Sequence, residues 1–175
     1  MVKTIHSEIK YEGIVFSVRQ DRIRLPNGKE TYRDIVDHVE AVTILPIDAE
    51  DNIWFIRQYR HAVGGEILEL PAGILEHGED PYACARREAR EEIGMAAGRL
   101  QKLGEFYMTP GYSTEYMYVY LATELSHSPL PCDDDEILTI ESIPLSQVME
   151  MVREGHIRDA KTLAALLLAI PEINL

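Results

Sequence analysis

Through "YEGIVFSVRQDRIRLPNGKETYRDIVDHV", residues 11–39, apolar and polar positions partly alternate, which predicts strand, turn and strand. The turn falls at "PNG", residues 26–28, where the residue types suit tight-turn chemistry. "AVTILPID" and "NIWFIRQY" predict two further strands joined across "AEDN", and "EILELP" predicts a short one stopped by Pro71. At "EDPYACARREAREEIG" the period changes. Pro81 suits the first turn of a helix and Gly94 its end, and Ala85, Ala89 and Ile93 recur every fourth residue as a small-residue stripe. "EYMYVYLATEL" then alternates again as a strand, while "LSQVMEMVREG" and "AKTLAALLLAI" predict two helices near the end. Strands on both sides of a central helix, with helices last, make a mixed α/β domain. No internal repeat, low-complexity tract or flexible linker interrupts the pattern.

Composition narrows the class. With 175 residues, 46% hydrophobic and 27% charged, the chain is long enough for one domain with a sizeable core. The opening "MVKTIHSEIKYEG" lacks the apolar core of a secretory signal, and no run of about 18 apolar residues predicts a membrane span. Two cysteines, Cys84 and Cys132, make no disulfide framework and point to a reducing cytoplasm. The net charge of −13 argues against nucleic acid and anionic membranes as partners. For an anionic small molecule that charge is an obstacle unless metal ions intervene.

The acidic residues are not spread evenly. In "GILEHGEDPYACARREAREEIGM", residues 73–95, Glu79 precedes Glu88, Glu91 and Glu92, and the last three share one helical face. Like charges at that spacing repel by a few tenths of a kcal/mol per pair. A hard cation such as Mg²⁺ reverses the sign, because it seeks oxygen ligands and keeps coordination positions for phosphate oxygens. The plain alternative is a solvated helix laced with salt bridges, since Arg86, Arg87 and Arg90 lie on the same helix.

The complete spacing separates the two readings. Gly73, five residues, Glu79, seven residues and "REAREEIGM" resemble the signature of the Nudix hydrolases. Seven fixed positions would coincide by accident at about 10⁻⁶ over a chain this long. The flanks resemble the ADP-ribose pyrophosphatases within that family: "IRQYRHAVGGEILELPAG" before the box, "MTPGYSTE" after it with Pro110 as the marker proline, and "DAKTLAALLLA" as the closing helix. The likeness covers most of the chain and is weakest over the first forty residues. "HVEAV" at 38–42 departs from it, where relatives more often carry a small or Pro-Gly element.

The resemblance implies an α/β/α sandwich with a mixed β-sheet, residues 41–175, behind an N-terminal β-strand extension, residues 1–40. It implies hydrolysis of ADP-ribose to AMP and ribose 5-phosphate with Mg²⁺, or Mn²⁺ in its place. Glu88 and Glu92 would be the core metal ligands, with Glu91 close by, the backbone carbonyl of Ala72 beside them and Glu79 in support. Arg87 would hold the glutamates by ion pairs. Glu115 matches the loop glutamate that acts as general base in these relatives, with Glu91 as rival. Arg60 would bind a phosphate through its planar fork, and Glu66 and Arg33 would touch the adenosine or ribose side. Tyr107, Tyr112, Tyr116 and Tyr118 are candidates for stacking on the base, while Trp54 reads as core. His77 reads as exposed and without a role, and Cys84 as a small, partly buried residue. "GIVFSVRQDRIRL" would exchange between the protomers of a homodimer. Other readings are a GDP- or UDP-linked sugar as substrate and a non-catalytic sensing module. Hydrolysis of capped or triphosphorylated RNA fits poorly with the acidic balance.

Overall fold

The computed structural model describes residues 1–132 and 137–173. They fall into two units, one of residues 1–40 with 106–116, the other of residues 41–105 with 117 onward. In the first, β1 (Lys3–Glu12), β2 (Phe16–Arg24) and β3 (Glu30–His38) form an antiparallel meander. The "PNG" turn joins β2 to β3, with Gly28 at φ 83°, a left-handed conformation that suits glycine. Segment 106–116 is fastened to β3 of the same unit. The Val36 N–H donates to the Tyr112 carbonyl (2.7 Å), the Thr114 N–H to the Val36 carbonyl (3.0 Å), and the His38 N–H to Thr114 Oγ1 (2.9 Å).

The second unit is built around β4 (Ala41–Pro46), all six residues of which are buried. β4 runs parallel to β9 (Tyr116–His127) and antiparallel to β7 (Ala72–Ile74), in the order β7-β4-β9-β8, with β8 spanning Met95–Tyr107. A strand buried on both faces reads as continuous apolar sequence, as "AVTILP" does. One face is covered by α1 (Pro81–Glu92), whose Cys84 and Ala85 pack with Val42 and Ile44. α3 (Ala160–Ala169) also lies against β4, and Leu168 leaves so little room at Gly104 of β8 that an added Cβ would come within 3.1 Å of its Cδ1. A second sheet, β10-β5-β6, pairs β5 (Asn52–Arg60) with β6 (Gly65–Glu69) and with β10 (Leu138–Pro144), beside α2 (Leu145–Arg153). Strands flanked by helices in this way give the expected α/β/α arrangement with a mixed sheet.

α1 follows its sequence closely. The Asp80 side chain accepts from the Tyr82 and Ala83 N–H groups at 2.9 and 3.3 Å, Pro81 opens the first turn, and Gly94 at φ 69° turns the chain away after the end. Ala85, Ala89 and Ile93 are buried, so the small-residue stripe is what lets the helix sit closely on β4 and β7.

Four strands have no counterpart in the sequence pattern, and one of them, β7, is only three residues long. β1 exposes nearly every residue, so no apolar face marks it, and backbone pairing with β2 defines it. β8 carries Gly98 and Gly104 and a mixed polar run. β10 buries only Ile143 fully and is defined by its register against β5. Trp54, read as core, is half-buried, because its indole N–H reaches Asp48 Oδ2 at 2.9 Å.

Candidate active site

The glutamates of α1 stand where the helix meets the turn into β7. Glu88 and Glu92 lie on the buried side, at 8% and 2% exposure. Glu92 Oε2 accepts the Ala72 N–H at 2.7 Å. Glu88 lies directly on Gly73: an added Cβ there would be 1.9 Å from Glu88 Oε1. The first glycine of the box is therefore the space that the Glu88 carboxylate occupies.

Arg87 ties the cluster together. Its Nε and Nη2 donate to the two oxygens of Glu79 at 3.0 and 2.9 Å, and its Nη1 to Glu88 Oε1 at 2.5 Å and Glu91 Oε2 at 2.8 Å. Hydrogen bonding from Arg87 holds the Glu79 carboxyl well below its ordinary range, at about 2. The same bond, ahead of the opposing burial, pushes the Arg87 guanidinium above its usual value. Four carboxylates against one guanidinium leave a formal charge of −3. The other two arginines of the helix face away: Arg90 Nε donates to the Ser128 carbonyl, and Arg86 stands over the Tyr82 ring. A salt-bridge-laced helix would have spent them on the glutamates.

Among the described residues no three acidic, His or Cys side chains are gathered as a ready metal cage. Arg87 stands between the carboxylates. The donor set is nonetheless all oxygen, the type hard cations take, and the hollow over Gly73 gives the Glu88 carboxylate a place from which a side chain is excluded. Cys84 is buried below the site and its thiol is pushed up, first by burial and then by the charge of Glu88, so it is no nucleophile. His77 is exposed, as expected.

Arg60, expected at a phosphate, forms a two-pronged pair with Glu69: Nε to Oε1 at 2.7 Å and Nη2 to Oε2 at 2.8 Å. The bond to Glu69 raises the Arg60 guanidinium above its usual value, with a smaller contribution from the charge of Glu92. Glu66 is exposed on β6, opposite Tyr59. The sequence reading missed Glu69 and Lys161, which meet although 92 residues apart. The signal was a lone charge inside an apolar stretch, in "ILEL" and in "AKTLAALLLA".

The remaining candidates belong to the N-terminal unit. Pro110, Tyr107, Tyr116, Ser113, Thr114 and Glu40 line a hollow of about 450 Å³. Tyr107 and Tyr116 meet edge to face in it, with centroids 4.7 Å apart. Glu115 is half-buried on the same segment, where the Ser113 hydroxyl accepts its N–H at 3.1 Å. Arg33 is exposed on β3 and bonds the Tyr32 carbonyl. Of the other tyrosines, Tyr112 is exposed, and Tyr118, in the second unit, lies under the Lys102 ammonium at 5.0 Å.

A profile of the NUDIX domain matches residues 37–166, most of the chain. The chain belongs to the Nudix family. A profile of the nucleoside diphosphate sugar hydrolase N-terminal domain matches residues 2–33, outside that Nudix region. The chain is 37% identical over 166 residues to the ADP-ribose pyrophosphatase of Bacillus subtilis, covering 94% of this chain and 90% of the relative. It is 35% identical over 145 residues to a GDP-mannose pyrophosphatase of Escherichia coli, covering 77% and 75%. Its structure superposes on the crystal structure of an ADP compounds hydrolase with a TM-score of 0.89 at 26% identity, covering 99% of this chain and 94% of the other. The Gly73-to-Met95 segment described above lies within the residues that the NUDIX profile matches. No helix among the described residues is long and apolar enough to cross a membrane.

Proposed function

We propose that this Nudix enzyme hydrolyses the pyrophosphate bond of ADP-ribose to AMP and ribose 5-phosphate. The observation that carries the chemistry is the four-glutamate cluster around Arg87, with a formal −3 set against Ala72 and Gly73 of β7. A cluster of formal charge −3 repels a diphosphate, and bound cations would reverse that repulsion. Glu88, Glu92, Glu91, Glu79 and the Ala72 carbonyl would hold Mg²⁺, or Mn²⁺ in its place. The ion supplies charge neutralisation of the phosphates and a lowered pKa of the attacking water.

The protein's own residues do the rest. Arg87 keeps Glu79, Glu88 and Glu91 in one array by three ion pairs. Arg60 turns its guanidinium toward a phosphate oxygen, a contact suited to its planar fork. The resemblance implies Glu115 as the general base in the first assignment and Glu91 in the second; a base must come within hydrogen-bond reach of the proton it takes. Taken each by itself, the Pro110 hollow of the N-terminal unit with its two tyrosines would receive a planar base, and the resemblance implies a contact to the adenosine or ribose side for Arg33 and, separately, for Glu66. The N-terminal strands form the dimerising extension of a homodimer, a reading supported by Ile9, Tyr11, Ile14 and Phe16, which are exposed there.

The preference for ADP-ribose rests on the greater extent of the likeness to ADP-ribose pyrophosphatases. The GDP-mannose pyrophosphatase likeness, over a shorter stretch, supports a GDP-linked sugar as the second reading. A panel of ADP-ribose, GDP-mannose, UDP-glucose, NADH and diadenosine polyphosphates with Mg²⁺ separates the two. The largest kcat/KM is expected for ADP-ribose. A preference of more than about tenfold for another compound moves the substrate assignment and leaves the metal chemistry in place.

A further inference from the structure

Behind Arg60 lies a charge pair that the hydrolytic chemistry does not use. Glu69 is 2% exposed and Lys161 8%. A carboxylate so far from water needs a counter-charge, and Glu69 has two. The Lys161 ammonium bonds Glu69 Oε2, the same oxygen that accepts Arg60 Nη2 at 2.8 Å. Lys161 is also 3.1 Å from Asp159, which caps α3 by accepting the Thr162 N–H at 3.0 Å. The ammonium is thus fixed by the start of a helix rather than swinging on its stem. Two carboxylates and two cations sum to zero.

We propose that Lys161 is a positioning residue for phosphate binding: by sharing Glu69 Oε2 with Arg60, it loosens the hold of Glu69 on the guanidinium and leaves Arg60 charge for the substrate. This role rests on the assignment of Arg60 to a substrate phosphate. The bonds to Glu69 engage Nε and Nη2, and among the described residues no acceptor is hydrogen-bonded to Nη1. With Lys161 gone, Glu69 would have Arg60 as its sole neutralising partner and would draw the whole fork inward. The direction is the same as the net raising of the Arg60 guanidinium, whose largest cause is its hydrogen bond to Glu69.

Calorimetric titration with inorganic pyrophosphate in Mg²⁺ tests this without requiring turnover. Lys161→Met is expected to weaken the Kd about tenfold, and the double variant Glu69→Gln with Lys161→Met to return it to within about threefold of wild type. A purely structural Lys161 would lower the melting temperature in both and leave the Kd of the folded fraction unchanged. A folded Lys161→Met protein with wild-type Kd overturns the proposal, as does wild-type protein that fails to bind pyrophosphate. Should Lys161→Met not fold, the double variant decides: a Kd about tenfold weaker than wild type overturns the role of charge sharing. Wild-type protein that hydrolyses no nucleoside diphosphate compound, yet shows this Kd pattern, would remove the substrate assignment and leave Lys161 in place.

Discussion

At the scale of single residues, the site depends on where a few carboxylates are allowed to sit. Glu92→Gln keeps the volume and one acceptor for the Ala72 N–H but removes a charge. If Glu92 is a ligand, several kcal/mol of transition-state stabilisation is lost, so kcat should fall about 10²- to 10³-fold with little change in melting temperature. Near-normal turnover would remove Glu92 from the ligand set. Gly73→Ala is a sharper probe of the same geometry. The added methyl would lie 1.9 Å from a Glu88 oxygen, the end of a flexible side chain that can swing aside at small cost in stability. Activity should collapse while circular dichroism and melting stay near wild type; a fully active Gly73→Ala protein would show that Glu88 need not occupy that place. Glu79 makes a pH prediction. Its folded value, about 2, lies below its ordinary 4.5, so its contribution to stability is complete above 4.5 and is lost as the pH falls toward 2. In metal-free protein, Glu79→Gln should therefore flatten the acid limb of stability against pH in that window. An unchanged limb in denaturant titrations would show that the Arg87 pair contributes nothing measurable.

At the scale of elements, legibility followed exposure. α1 was readable from end to end, because its first-turn proline, small-residue stripe and closing glycine all point one way, and the structure adds the Asp80 cap at the same start. Asp80→Ala tests that reading: losing the two accepted N–H bonds should cost about 1 kcal/mol, a fall of about 2–4 °C in melting temperature. No shift would mean that neighbouring packing, not the cap, sets the helix start. β4 was readable because both its faces are buried. β1 was not, since nearly all its side chains face outward and alternation needs a buried face to show. β8 and β10 are fixed by pairing with distant strands, and local sequence carries little of that. The site divides the same way. The box glutamates lie within one helical turn and a short loop, so spacing alone groups them. Glu69 and Lys161 were missed although each stands as a lone charge in an apolar stretch: Glu69 bonds Arg60 from nine residues on, on the neighbouring strand, and Lys161 joins them only once α3 has packed, 92 residues from Glu69.

At the scale of the molecule, acid balance and function are one question. A net charge of −13 repels a pyrophosphate, and the cluster around Arg87 concentrates that charge at one place. Cations recruited there would turn the obstacle into the binding determinant. The exposed apolar residues of the N-terminal meander, Ile9, Tyr11, Ile14 and Phe16 among them, suit a second copy of the chain. Light scattering coupled to gel filtration should give twice the 19.9 kDa of one chain; a monomer at all concentrations would exclude the homodimer. The most direct test of the whole account is titration of metal-free protein with Mn²⁺, followed by electron paramagnetic resonance of the free ion. Saturable binding at neutral pH is predicted for wild type, with loss of the tightest site in Glu88→Gln and Glu92→Gln. Binding that is absent from wild type, or unchanged in both variants, would contradict it.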